Sequence, residues 1–196
     1  MTPERPSNVT ALIEKLKLQP HPEGGFFAET YRATDTVKPN AEHFDGAEKA
    51  SATSIYFLLE THNFSAFHRI KSDEQWHFYE GSPVEIRIID RQTGELTTHV
   101  LGNPVTTPGA SFQVVVPARS WFAASIQGDQ PYSLVGCTVS PGFEFQDFEL
   151  ADRAALQREH PQHQTIIEQY TRIAADAAPS AAKEKEEERT ASVFRM

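Results

Sequence analysis

The sequence is short of the features that mark secreted, membrane-spanning and nucleic-acid-binding proteins. Its 196 residues contain one cysteine, Cys137. Without a second thiol no intrachain disulfide forms, and a cytoplasmic location is expected. Cys137 lies in the apolar run SLVGCTVS and reads as a buried core thiol rather than a nucleophile. No apolar run approaches the roughly 20 residues that cross a bilayer. The first residues, MTPERPSNVT, lack the apolar stretch of a signal peptide. Positive charge is scarce as well: 18 Lys and Arg stand against 27 Asp and Glu, a net charge of −9. That balance argues against nucleic acid or an anionic membrane as a partner. A nucleotide-sized ligand stays compatible, because a few local groups can hold it.

Aromatic and turn-forming residues are plentiful. Thirteen Phe and thirteen Pro point to strands broken by turns. Residues 7–18, SNVTALIEKLKL, read as a helix: Ser7 can cap it, and Val9, Leu12, Ile13 and Leu16 recur at helical spacing. Residues 26–34 and 51–60 read as strands, and 35–50 between them as a polar loop. Seven more short apolar segments follow at spacings near ten residues, which predicts an all-β sandwich or barrel. After Asp147 the pattern changes to two helices, at 151–160 and 164–174. Residues 176–196 are charged and Ala-rich without apolar periodicity, so a disordered tail is expected there. The expected organisation is a helix and turn over 1–24, a β domain over 25–150, helices over 151–175, and the tail.

One stretch concentrates chemistry: SAFHRIKSDEQWHFYEG, residues 65–81. Glu74 stands seven residues before Gly81, and His68 six before Glu74. This spacing resembles the first cupin motif. The second motif, Pro-x-Gly-x-x-His, has its counterpart at Pro117, with Arg119 at the Gly position and Phe122 at the His position. Together with HPEGGFF (21–27) and CTVSPGFEFQDFELA (137–151), these segments resemble a family of small cupins catalogued as a domain of unknown function. The resemblance implies a cupin double-stranded β-helix, or jelly roll, with an N-terminal helix and C-terminal helices. It also implies a homodimer in which strand 26–32 extends the partner's sheet.

The same segments are similar to the dTDP-4-dehydrorhamnose 3,5-epimerases, through GGFFAETY at 24–31. That likeness implies Phe27 and Glu29 as ligand contacts and His68 as the catalytic base. Glu74 stands where those enzymes have a lysine, and Gly24 where they have a phosphate-binding arginine. Their tyrosine acid would fall near Ser140 or Pro141, where none stands; Tyr56, Tyr79 or water would have to replace it.

Metal-holding cupins typically offer three His and one Glu. Here Ile70 and Phe122 stand at two of the His positions, or Trp121 if the register slips by one. Strand alternation with Glu74 inward puts Trp76 inward and His77 outward, unless a bulge intervenes. No metal and no cofactor are expected. His68 and Glu74 are expected side by side on adjacent strands, with His68 titrating higher beside the carboxylate. Trp76 supplies a stacking wall. Trp121 either stacks on a ligand or fills the barrel mouth. Arg69 and Arg119 pair either with phosphate or carboxylate or with the chain's own acids. His21 reads as a turn residue, and His43, His99, His160 and His163 as solvated. The leading expectation is a pocket for a nucleotide, sugar or sugar derivative, acting as a metal-independent isomerase or epimerase through His68 and Glu74. A non-catalytic binding cupin, and a metal-dependent enzyme using His68, Glu74 and His77, are the alternatives.

Overall fold

The computed structural model describes residues 5–40 and 42–173. The chain opens with helix α1 (Ser7–Lys15) and the short strand β1 (Gln19–Pro20), then β2 (Phe26–Arg32). A small ribbon follows, β3 (Thr36–Val37) with β4 (Lys49–Ala50). The body is built from β5 (Thr53–Glu60), β6 (Phe64–Arg69), β7 (Asp73–Gly81), β8 (Val84–Ile89), β9 (Leu96–Leu101), β10 (Ala110–Ser111), β11 (Gln113–Val116), β12 (Trp121–Ile126) and β13 (Tyr132–Ser140). A final strand, β14 (Glu149–Leu150), leads to α2 (Arg153–Glu159) and α3 (Gln164–Gln169).

Two six-stranded sheets result, ordered β1-β2-β5-β13-β7-β11 and β10-β9-β8-β12-β6-β14. Side chains alternate between faces, so each sheet buries every second residue between the layers. Phe57, Leu59, Trp76 and Val135 from the first sheet meet Ile86, Ile88, Phe122 and Ala124 from the second. This is the all-β jelly roll that the short strands and motifs predict.

Each sheet also has apolar side chains on its outer face, and these are covered by helices. Val9 of α1 packs on Leu58 and Leu134, with Leu12, Ile13 and Leu16 beside it. Ile167 and Leu156 pack on Phe67, Ile89 and Trp121 of the other sheet. The helical spacing read from the sequence is therefore the spacing that covers a sheet. Asp152 caps α2 by accepting a hydrogen bond from the Ala155 N–H at 2.8 Å.

Three details differ from expectation. Ser7 does not cap α1: the cap position is Pro6 and no side-chain cap bond forms. The 35–50 segment is not simply a polar loop. It pairs as the β3–β4 ribbon and buries Phe44 and Lys49. His160 is buried rather than solvated, and His163 donates from Nε2 to the Gly94 carbonyl at 2.9 Å. The expected tail, 176–196, lies outside the described residues.

Candidate functional site

β6 ends at Arg69, and residues 70–72 carry the chain across to β7 in the opposite sheet. His68 and Glu74 therefore face each other across the sandwich; they are not neighbours within one sheet, as the sequence reading had them. Both line one cavity of about 90 Å³, together with Phe27, Glu29, Trp76 and Cys137. By the roughly 10–15 Å³ that one water needs, the space holds on the order of six to nine non-hydrogen atoms. That is the six atoms of a pyranose ring with a few of its substituents, not a whole nucleotide.

The carboxylate beside His68 is Glu23, not Glu74. His68 Nε2 lies 3.1 Å from Glu23 Oε2, and His21 Nδ1 lies 3.2 Å from the same oxygen. The Ser65 hydroxyl donates to Glu23 Oε1 at 2.8 Å. On its other side the His68 ring donates from Nδ1 to the Ala66 carbonyl at 2.7 Å, since a carbonyl only accepts. The proton at Nδ1 is thereby fixed, and Nε2 is the atom that titrates. His21, read from the sequence as a turn residue, is a wall of the cavity; its ring meets Phe27 edge-on with centroids 4.7 Å apart.

The turn that places Glu23 is built by two glycines. Gly24 and Gly25 have φ of 117° and 73°, where other residues are strained. A Cβ on Gly24 would also lie 2.2 Å from the Arg172 guanidinium and from the Phe64 carbonyl. Arg172 donates from Nε and Nη2 to the Glu23 carbonyl at 3.1 and 3.0 Å, pinning the turn from the far end of the chain.

The two acids are driven in opposite directions. Burial alone would raise Glu23, but the His68 and His21 rings and the Ser65 hydroxyl outweigh it and hold the carboxyl at about 2. Burial raises Glu74, the Glu23 carboxylate adds to it, and the group titrates at about 8. Burial pushes His68 below its ordinary value against the pull of Glu23. The expected rise of His68 is thus reversed, because desolvation of an enclosed imidazolium exceeds one ion pair. Burial also lifts the Cys137 thiol well above its usual range, so it offers no thiolate nucleophile.

A 3-10 turn at Phe145–Asp147 helps roof the cavity, and Phe143, Phe145 and Phe148 all line it. Two ion pairs hold this roof. Arg32 Nη1 donates to Glu144 at 2.7 Å while its Nη2 holds Glu29 at 2.7 Å. Lys49 Nζ donates to Asp147 Oδ2 at 2.6 Å, both side chains buried. Arg32 and Glu144 carried no signal in the sequence reading; the aromatic alternation of GFEFQDF was their one trace.

Five candidate ligand contacts lie outside this cavity. His77 is on the outer face, bonded to the Thr138 hydroxyl at 3.1 Å and to Gln113 at 3.1 Å. Tyr56 and Tyr79 meet edge-to-face on that same side, centroids 6.0 Å apart. Trp121 is buried under α2 and α3, with Arg69 stacked over it at 4.2 Å. Alternation along β7 explains His77 and Tyr79, since Glu74 and Trp76 take the inner face. His77→Ala is accordingly expected to leave ligand affinity of the cavity within about two-fold, measured by calorimetry.

At the metal-ligand positions of the resembled cupins, Ile70 lines the cavity and the Phe122 ring packs 4.0 Å from the His68 ring, neither offering a donor. Among the described residues, no group of three or more His, Cys, Asp or Glu side chains is placed to hold a metal ion. The residues do not fit that centre.

The profile of the Cupin superfamily (DUF985) matches residues 10–151. The chain belongs to this family. A hypothetical protein from Leishmania major is 33% identical to this cupin with a TM-score of 0.77, over 84% of this chain and 98% of that one. A Shewanella oneidensis protein is 37% identical with a TM-score of 0.73, over 86% and 99%. Curated proteins return no match to this DUF985 chain. Among its described residues no helix is long and apolar enough to cross a membrane.

Proposed function

We propose that this cupin is a metal-independent proton-transfer enzyme, of isomerase or epimerase type, acting on a sugar-sized molecule. One observation carries the reading: two buried carboxyls with opposite titration shifts, Glu23 at about 2 and Glu74 at about 8, line one cavity. Such a split assigns acid and base. The Glu23 carboxylate, held by His68 Nε2 at 3.1 Å, accepts a proton from one side of the substrate, and His68 positions it. Glu74, protonated at neutral pH, returns one from the opposite sheet. Moving a proton off one face and onto the other is what epimerisation at a carbon beside a carbonyl requires.

The cavity's size supports a sugar ring or sugar derivative inside it. A nucleotide portion would extend past the Arg32–Glu29–Glu144 rim. Among the described residues no tyrosine lines the cavity. That favours a non-catalytic binding pocket as the second reading, since the similar epimerases use a tyrosine acid. Incubating candidate sugars, sugar acids and nucleotide sugars in deuterated water separates the two. Proton NMR should find carbon-bound hydrogen exchanged by wild type and at least about 100-fold slower exchange in His68→Gln and Glu74→Gln. Binding without exchange would leave only the second reading. The exchange rate is expected to fall above about pH 8 as Glu74 loses its proton.

We place the enzyme as a homodimer in solution. Among the described residues, β1 pairs only with Phe26 and Phe27 of β2, which leaves the Ala28–Arg32 edge open beside Tyr31, itself exposed. Light scattering should return twice the chain mass at micromolar concentration, and a monomer mass would remove this part.

A further inference from the structure

A second hollow, of about 250 Å³, lies beyond Ile70 and Phe148, which wall both spaces. Three cations line it: Arg69 at the end of β6, Lys71 just after it, and Arg119 from the turn between β11 and β12. They face two lining carboxylates, and one of these, Asp147, is already paired with the buried Lys49. With Lys49 and with Asp45, which lies 3.6 Å from Lys71, four cations stand against three carboxylates, so the hollow is locally positive in a chain of net charge −9.

We infer that this hollow is an anion site that takes the phosphate group of a small phosphorylated molecule. Arg119 has a φ of 65°, the left-handed region, at the position where the cupin motif has glycine. A side chain kept in a conformation that favours glycine points to a use for that side chain. Its backbone N–H donates to the Ile70 carbonyl at 2.8 Å, which fixes the turn. Among the described residues its guanidinium makes no hydrogen bond or ion pair.

Arg69 is preorganised differently. Its guanidinium stacks 4.2 Å over Trp121, and Nε donates to Glu149 at 2.7 Å. Its two Nη groups make no hydrogen bond among the described residues. Lys71 Nζ lies 3.4 Å from Asp147 Oδ1, a buried oxygen that accepts no hydrogen bond. That oxygen can accept a hydrogen bond from a phosphate hydroxyl. Two guanidinium groups and an ammonium, from separate parts of the chain, suit a tetrahedral dianion with several oxygens better than a planar monoanion. The site is separate from the acid–base cavity and does not depend on the reading given to it.

Inorganic phosphate is the probe, titrated calorimetrically into the full chain at ionic strength held constant with sodium chloride, which removes general screening. Millimolar or tighter binding is expected. Arg119→Gly and Arg69→Ala should each weaken it by about ten-fold or more. Arg119→Gly should melt no lower than wild type, because glycine relieves the positive φ. Malonate, run in parallel, should bind more weakly than phosphate. Absence of phosphate binding, unchanged affinity in Arg119→Gly, or a melting temperature of that variant well below wild type would each overturn the assignment. Malonate binding more tightly than phosphate would overturn the phosphate assignment in favour of a carboxylate.

Discussion

Glu74→Gln should make the protein more stable at neutral pH, by about 3 kcal/mol, while abolishing proton transfer. The Glu74 carboxyl titrates at about 8 when folded against 4.5 ordinarily. Below pH 4 both folded and unfolded chains hold this proton, and the group is neutral to stability. As pH rises past 4.5 the unfolded chain releases the proton and the folded chain does not. Stability then falls until pH 8, at about 1.4 kcal/mol per pH unit. Glutamine keeps the shape and cannot ionise, so the variant escapes this loss. Urea unfolding at pH 4, 7 and 9 should give a gain near zero at pH 4 and a growing gain above it. Equal stability of wild type and variant at pH 9 would mean that Glu74 is ionised and solvated, and the acid role would fall with it. A site that lowers its own stability in this way is expected where a group is kept for chemistry.

Glu23→Gln should do the reverse. Glu23 titrates at about 2 when folded, against 4.5 ordinarily. Its contribution is present above pH 4.5 and lost as pH falls toward 2. The shift corresponds to about 3 kcal/mol at pH 7. Glutamine removes the negative charge that holds His68 and His21, so the variant should be destabilised by roughly that amount at pH 7 and by little at pH 2. The loss is as large as for other buried pairs broken on one side, about 3–5 kcal/mol. Chemical denaturation across that pH range decides it: a deficit that persists unchanged at pH 2 would assign it to packing rather than to the Glu23 charge.

Much of β7 is legible in the sequence. In DEQWHFYEG the alternation alone sends Glu74 and Trp76 inward and His77 outward, and the structure has them so. Helix α1 was legible too, because Val9, Leu12, Ile13 and Leu16 make one stripe. The partner of His68 was not. Glu23 belongs to a turn, PHPEGG, whose path is set by Gly24, Gly25 and an arginine 149 residues further on. Nothing local distinguishes such a glutamate from a solvated one. Its one trace was an acid and a histidine set between prolines and paired glycines, beside aromatics. The facing of β6 and β7 was missed for a related reason. The short link IKS looks like a hairpin turn, yet it crosses between sheets, and period-two patterning is blind to which sheet a strand joins. Trp121 misled because an aromatic near a motif can serve either side of its sheet, and the covering helices lie some 30 residues later.

Two carboxyls in one cavity hold different protonation states, and carboxyl carbon NMR measures that directly. Protein carrying glutamate labelled at the side-chain carboxyl carbon is titrated from pH 2 to 10, with Glu23→Gln and Glu74→Gln used to assign the two signals. The Glu74 signal is expected to move near pH 8, and the Glu23 signal to stay in its ionised position until about pH 2. Both signals moving together near 4.5, the ordinary value for this side chain, would contradict it.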